Sequence, residues 1–155
     1  MIRRAFFTFN FVCAGALAAM LALKAGPAIE ARLAPVRTDQ AIEHIERALD
    51  RICWDWVSVK LRPLAAVDLD AVLETKTDRF IVAIYNRDTG MPWARSGMVG
   101  LGPHRQSFCV GMPPSVRPWN TVRLSQTAVY PGWLGLWHVP LKLPDVVDPP
   151  GAALP

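Results

Sequence analysis

The first apolar positions of the chain form one uninterrupted block. Between Arg3–Arg4 and Lys24 lie nineteen residues without a charge, Ala5 to Leu23. As a helix they span about 28 Å, close to the hydrocarbon thickness of a bilayer. The expectation is a transmembrane anchor or signal segment over residues 1–24, with membrane lipid as its partner. Ala14, Gly15, Ala16, Ala18 and Ala19 give part of it a small-residue surface of the kind that lets helices approach closely. Gly26, Pro27 and Pro35 then break a continuous helix, which predicts a short stalk over 25–38.

The next apolar positions change period twice. Ile42, Ile45, Leu49 and Ile52 recur at spacings of 3, 4 and 3 behind N-cap chemistry at Thr38 or Asp39. That stripe predicts one amphipathic helix, supported by Glu43 and Arg47 at i, i+4. It either docks on the domain that follows or pairs with a second copy as a homodimer.

From Cys53 the period is two. Val57, Val59 and Leu61 alternate with Trp56, Ser58, Lys60 and Arg62, a strand with one buried face that Pro63 ends. Ala65 to Thr75 fits either a strand or a helical turn. The β-branched run Phe80 to Tyr85 predicts a central strand, and Asn86 to Gly90 a turn. Gly97 to Gly102 is a glycine-rich connection. Gln106 to Gly111, Thr121 to Tyr130 and Leu134 to Leu141 complete the strands. Several short strands with turn signals between them predict a mainly β fold. It is a small antiparallel β-sandwich or open barrel, preceded by the amphipathic helix and the transmembrane helix. Helix and strands form one domain over 39–143. Residues 144–155, with Pro144, Pro149, Pro150 and Pro155, read as a flexible proline-rich tail.

A cleaved signal peptide is the rival reading of the N-terminus. It would end in a small-x-small site. The available sites, after Ala25 with Leu23 at −3 or after Ala28 with Pro27 in the middle, suit it poorly. Asn10 to Cys13 lacks the small residue that precedes a lipidated cysteine. The short basic start, with Arg3 and Arg4, places the N-terminus inside and the β domain outside the cytoplasm, periplasmic or extracellular. Lys24, Arg32 and Arg37 on the other flank weigh against that orientation.

Charge alters the picture less than its total suggests. The net charge of +4 belongs entirely to residues up to Arg37, and the remainder is neutral. A neutral domain lacks the footprint that phosphate-backbone binding needs, which argues against nucleic acid. Basic residues beside an apolar segment suit lipid headgroups instead.

Of the three cysteines, Cys13 falls inside the apolar block. That leaves Cys53 and Cys109 as a pair, oxidised in an extracytoplasmic domain. Closing a loop of about 57 residues contributes roughly 4 kcal/mol in the chain-entropy model. A cysteine pair beside a tryptophan is similar in architecture to the immunoglobulin sandwich. The pattern departs from it, because Trp54 adjoins the cysteine and Ser107 stands at the tyrosine position.

Catalytic chemistry finds little purchase. Gly97 to Gly102 resembles a phosphate loop only superficially, since Pro103 follows where a helix should begin. Asp68-x-Asp70 has no third oxygen ligand nearby. His44, His104 and His138 are scattered, without metal-ligand spacing. Ser107 with His104, or Ser125 with His138, lacks any nucleophile-elbow context. No cofactor and no metal are expected, and a small hydrolase is retained as an alternative. The six tryptophans are a surplus. Trp54 and Trp56 share a strand face and belong in the core. Trp93, Trp119 and Trp133 sit near turns and form the candidate partner or glycan surface.

These readings favour a non-enzymatic, membrane-anchored interaction or accessory subunit of an envelope complex, with other envelope or membrane proteins as partners. The alternatives are an exported glycan- or ligand-binding module released by cleavage, the small hydrolase, and a cytoplasm-facing regulator. In the native protein, Cys53 and Cys109 should resist alkylation until reductant is added, counted by intact mass. Alkylation of both without reductant would point to the regulator.

Overall fold

The computed structural model describes residues 2–93 and 100–149, with side chains from residue 10 onward. Among these residues one helix, α1 (Ile2–Leu33), precedes nine strands. These are β1 (Arg37–Arg47), β2 (Arg51–Lys60), β3 (Asp68–Glu74), β4 (Arg79–Ile81), β5 (Ile84–Asn86), β6 (Gly102–Gly111), β7 (Val122–Pro131), β8 (His138–Lys142) and β9 (Val146–Asp148). A 3-10 turn, Trp133–Gly135, lies between β7 and β8. All pairings are antiparallel and form two sheets. The first has the order β1-β2-β6-β5. The second has the order β4-β3-β7-β8, with β9 also paired to β7. The fold is therefore mainly β with one N-terminal apolar helix.

One core is shared by both sheets. Ile52, Trp54 and Trp56 of β2 and Phe108 and Val110 of β6 face Leu73 of β3 and Leu124 and Tyr130 of β7 within a single buried cluster. A side-chain period of two forces an entire strand face to follow its largest residues. Burying Ile52, Trp54 and Trp56 removes more apolar surface from water than burying Val57 and Val59. Ser58 and Lys60 are carried inward with them, and the two valines stay half-buried.

The amphipathic helix expected from Asp39 is not formed. Its residues lie on β1, in a turn and on β2. Asp39 and His44 have positive φ, 49° and 48°, and each marks a bulge where two residues of β1 oppose one of β2. Each bulge stretches the inward spacing from two to three, so Arg37, Gln40, Ile42, Ile45 and Arg47 share the better-buried side. The 3-residue step from Ile42 to Ile45 is a strand with an inserted residue, and it imitates a helical step. Leu49 stands in the β1–β2 turn and Ile52 is in the core, so the four residues offer no common face for a homodimer.

Three further expectations change. Gly26 and Pro27 do not end the helix, which runs on to Leu33 through most of the expected stalk. Phe80 to Tyr85 is not one central strand. β4 ends at Ile81 and β5 begins at Ile84, so the run turns a corner from an edge of one sheet to an edge of the other. The first part of the expected tail is structured: Val146 is buried, and Val146–Asp148 is β9. Residues 97–99 of the Gly97 to Gly102 connection lie outside the described residues. So does the end of the tail. The ambiguous stretch from Ala65 contains β3.

A non-glycine residue in the left-handed region is strained by about 1–2 kcal/mol. His44→Gly should therefore raise stability by about 0.5–1 kcal/mol after the entropy that glycine loses on folding is deducted. In a helix the same change would instead cost roughly 0.3 kcal/mol. The direction of the urea-midpoint shift distinguishes the two.

Candidate functional site

Residues four apart on a helix share one face, and on α1 the residues Gly26 and Glu30 are buried while most of their neighbours are exposed. They meet the turn between β7 and β8. The Trp137 ring lies over Gly26, where an added Cβ would come within 2.8 Å of the ring. Only glycine admits that approach. Gly132 faces the same indole from the turn.

Glu30 is 0% exposed and accepts three hydrogen bonds. Arg62 Nη1 donates to Oε1 at 2.6 Å. The Trp133 backbone N–H and Trp137 Nε1 donate to Oε2 at 2.8 and 2.7 Å. Arg62 also donates to the Ala34 carbonyl at 3.2 Å, satisfying backbone just past the helix end. A buried carboxylate is tolerated only when paired and hydrogen-bonded, and here every component is in place. The helix is thus joined rigidly to the end of β2 and to the β7–β8 turn.

Beside this junction the interior is unusually cationic. Arg37 donates to Ser58 Oγ at 2.7 Å and to the Tyr130 hydroxyl at 3.3 Å, and its guanidinium lies 4.5 Å from the Trp56 ring centroid. Lys60, paired in register with Arg37, is buried as well. Burial, and then the Arg37 charge, push its ammonium below the usual lysine range.

Cys53 and Cys109 form a disulfide. They are direct partners on β2 and β6 within one sheet, unlike the inter-sheet bridge of the immunoglobulin sandwich. A shallow pocket of about 390 Å³ lies over it, lined by Glu46, Arg47, Arg51, Tyr85 and Arg87 among others. Arg47 and Arg87 are already engaged, with Asp148 and Glu46.

The three candidate tryptophans are not brought together. Trp93 packs against the core and bonds the Ile84 carbonyl. Trp119 precedes β7 and Trp133 follows it, and nine steps along a strand separate its ends by about 30 Å. Trp119 lies instead in the connection that the end of β1 holds, because Arg47 donates to the carbonyls of Arg117 and Asn120. Trp54 and Trp56 are core residues, with both indole nitrogens unpartnered.

On the outer face of the first sheet Ser107 Oγ donates to Asp55 at 2.7 Å, and Arg105 Nη2 at 2.6 Å. The Ser107 bond, followed by Arg105, holds the Asp55 carboxyl below its usual range, which makes it a weak proton acceptor. His44 Nδ1 lies 3.5 Å from Asp55 and accepts from Arg105. Ser107 therefore donates to the carboxylate while His44 accepts from Arg105, and neither addresses the other, which is not the nucleophile–base geometry of hydrolases. His104 contacts the Gly100 carbonyl, and His138 starts β8 on the other sheet. Among the described residues no group of three His, Cys, Asp or Glu is placed to hold a metal ion.

Sequence reasoning missed Gly26, Glu30 and Trp137. The available signal was a lone acid one turn beyond a glycine, on the flank of an apolar helix. Glu30→Ala should lower stability by about 3–5 kcal/mol, because it leaves Arg62 and the Trp137 N–H without their partner. Glu30→Gln should lie between the two. Urea unfolding followed by tryptophan fluorescence in mild detergent measures both. An unchanged midpoint for Glu30→Ala would mean that the joint contributes nothing. Compared with known proteins, the chain matches no family model and no curated protein, so the function of this junction is argued from its geometry.

Proposed function

We propose that the chain is a non-enzymatic, membrane-anchored interaction or accessory subunit of an envelope complex, its β-sandwich held outside the cytoplasm. The observation that carries this reading is the rigid joint between an apolar helix and the two-sheet domain. From Asn10 to Ala25 the helix is exposed, and the stretch from Asn10 to Leu33 is long and apolar enough to cross a bilayer. A tethered enzyme or diffusing binder needs only a flexible stalk. A fixed joint matters when a surface must be presented at a set height and angle above the membrane.

Three features support the reading. The disulfide suits an oxidising compartment. Both candidate cleavage points, after Ala25 and after Ala28, fall within the docked turns of α1, which disfavours a released module. The end of the domain far from α1 carries Leu49 and Trp119, 84% and 79% exposed and flanking the Arg47 contacts. A large aromatic and an aliphatic anchor set among polar residues are what a partner surface uses.

Solubilised in mild detergent, the protein should migrate on native gels well above one 17.1 kDa protomer with its micelle. Leu49→Ala with Trp119→Ala should release it to the lone-protomer position without changing its unfolding midpoint. A wild-type chain that runs alone in every mild detergent would retire the reading.

A further inference from the structure

The exposed apolar side chains of the β domain are unevenly placed. Of the exposed large apolar side chains past α1 among the described residues, Leu61, Val67, Leu101, Trp133, Leu134 and Leu136 lie in connections at one end, while Leu49, Ile81, Met91 and Trp119 lie elsewhere. Register identifies that end. Arg37 pairs with Lys60 and Lys60 with Gly102, so the start of β1, the end of β2 and the start of β6 coincide. The Val67 N–H donates to the Val129 carbonyl, near the end of β7. Glu30 binds Arg62 from one sheet and the Trp133 N–H from the other. It is therefore the end from which α1 leaves.

Leu134 is the extreme case. It is 94% exposed and sits at φ 55°, a left-handed conformation that a leucine adopts only under strain. Gly135 follows at φ 69°. The turn is not loose, because Glu30 holds its first N–H and Trp137 is wedged against Gly26. A strained backbone that holds a bare leucine in water, flanked by Trp133 and by Leu136 at 57% exposure, needs something apolar outside the chain.

We infer that the Trp133–Leu136 turn, with the neighbouring connections around it, dips into the interfacial layer of the same bilayer that α1 enters. Depth agrees. Leu23 ends the uncharged run, and Gly26 lies three residues beyond it, about 4.5 Å along the helix. The interfacial layer is about 5–8 Å thick on each side of the hydrocarbon. The turn that packs on Gly26 is thus at headgroup level, where tryptophan is favoured. Lys24, exposed on α1 and one residue past Leu23, faces the same layer and suits anionic headgroups. Turn and helix together fix the tilt of the domain on the membrane, which neither does alone.

The inference rests on the reading of α1 as a membrane anchor, and one experiment separates the two. In full-length protein carrying Cys13→Ser, with Cys53–Cys109 oxidised, single cysteines are placed at Leu21, Leu49 or Leu134 and labelled with an environment-sensitive fluorophore. The protein is reconstituted in phosphatidylcholine–phosphatidylglycerol vesicles whose acyl chains carry a nitroxide quencher. The label at 21 should be strongly quenched. The label at 134 should be blue-shifted and quenched severalfold more than the label at 49. If 134 behaves like 49 while 21 is quenched, the turn stays out of the bilayer: this inference falls and the anchor stands. If 21 is also unquenched, both fall. A blue shift at 134 that vanishes on dilution into excess lipid would assign the patch to a second copy and overturn the lipid contact.

Discussion

Glu30 is an ionised carboxylate on a helix whose preceding turns are almost wholly apolar. It cannot sit in hydrocarbon, and it cannot enter a protein interior without donors for its oxygens. Arg62, the Trp133 backbone and the Trp137 indole supply them from three points of the β domain. That requirement fixes how the helix meets the sheets, and other features follow from it. Gly26 must lack a side chain because the indole that serves Glu30 crosses the helix one turn earlier. Pro27 is tolerated because the helix end is held by tertiary contacts rather than by its own ladder alone. The β7–β8 turn keeps its left-handed residues because its start is bonded to a buried group.

A second constraint acts inside the domain. β2 is committed to the face that carries Ile52, Trp54 and Trp56, and the pleat takes Ser58 and Lys60 with them. Arg37 lies across the Trp56 ring and binds Ser58 and Tyr130, which recovers part of the cost of that polar end. The cationic interior adjoins the helix joint, and the exposed apolar connections ring the same end. The opposite end carries Trp119 and Leu49. The domain is thus polarised along its strands, one end suited to the proposed membrane contact and the other to the proposed partner.

Much of this was legible along the chain. Uncharged length marked the helix, two-residue alternation marked β2, and the only cysteines outside the apolar block formed the disulfide. The misreadings have identifiable physical causes. The bulge at His44 set Ile42 and Ile45 three apart, and with Leu49 in the turn and Ile52 on β2 the stripe then looked helical. A β-branched run reports strand propensity and not sheet membership, so the corner between β4 and β5 was invisible. Gly26-Pro27 is a helix breaker by local propensity alone, and nothing local encodes an indole arriving from residue 137.

What the sequence determined by itself is whatever depends on neighbours in the chain: the apolar helix, the strand alternation, the turns and the location of the net charge. Tertiary structure alone decided which face of β2 is inside, that Glu30 is buried and satisfied, and that Trp119 and Trp133 lie at opposite ends. It decided as well which exposed leucines surround the helix exit. Those outcomes depend on groups as far as 107 positions apart, as Glu30 and Trp137 are. Such contacts are set by the balance of burial and hydrogen bonding over the whole domain, which no local pattern carries.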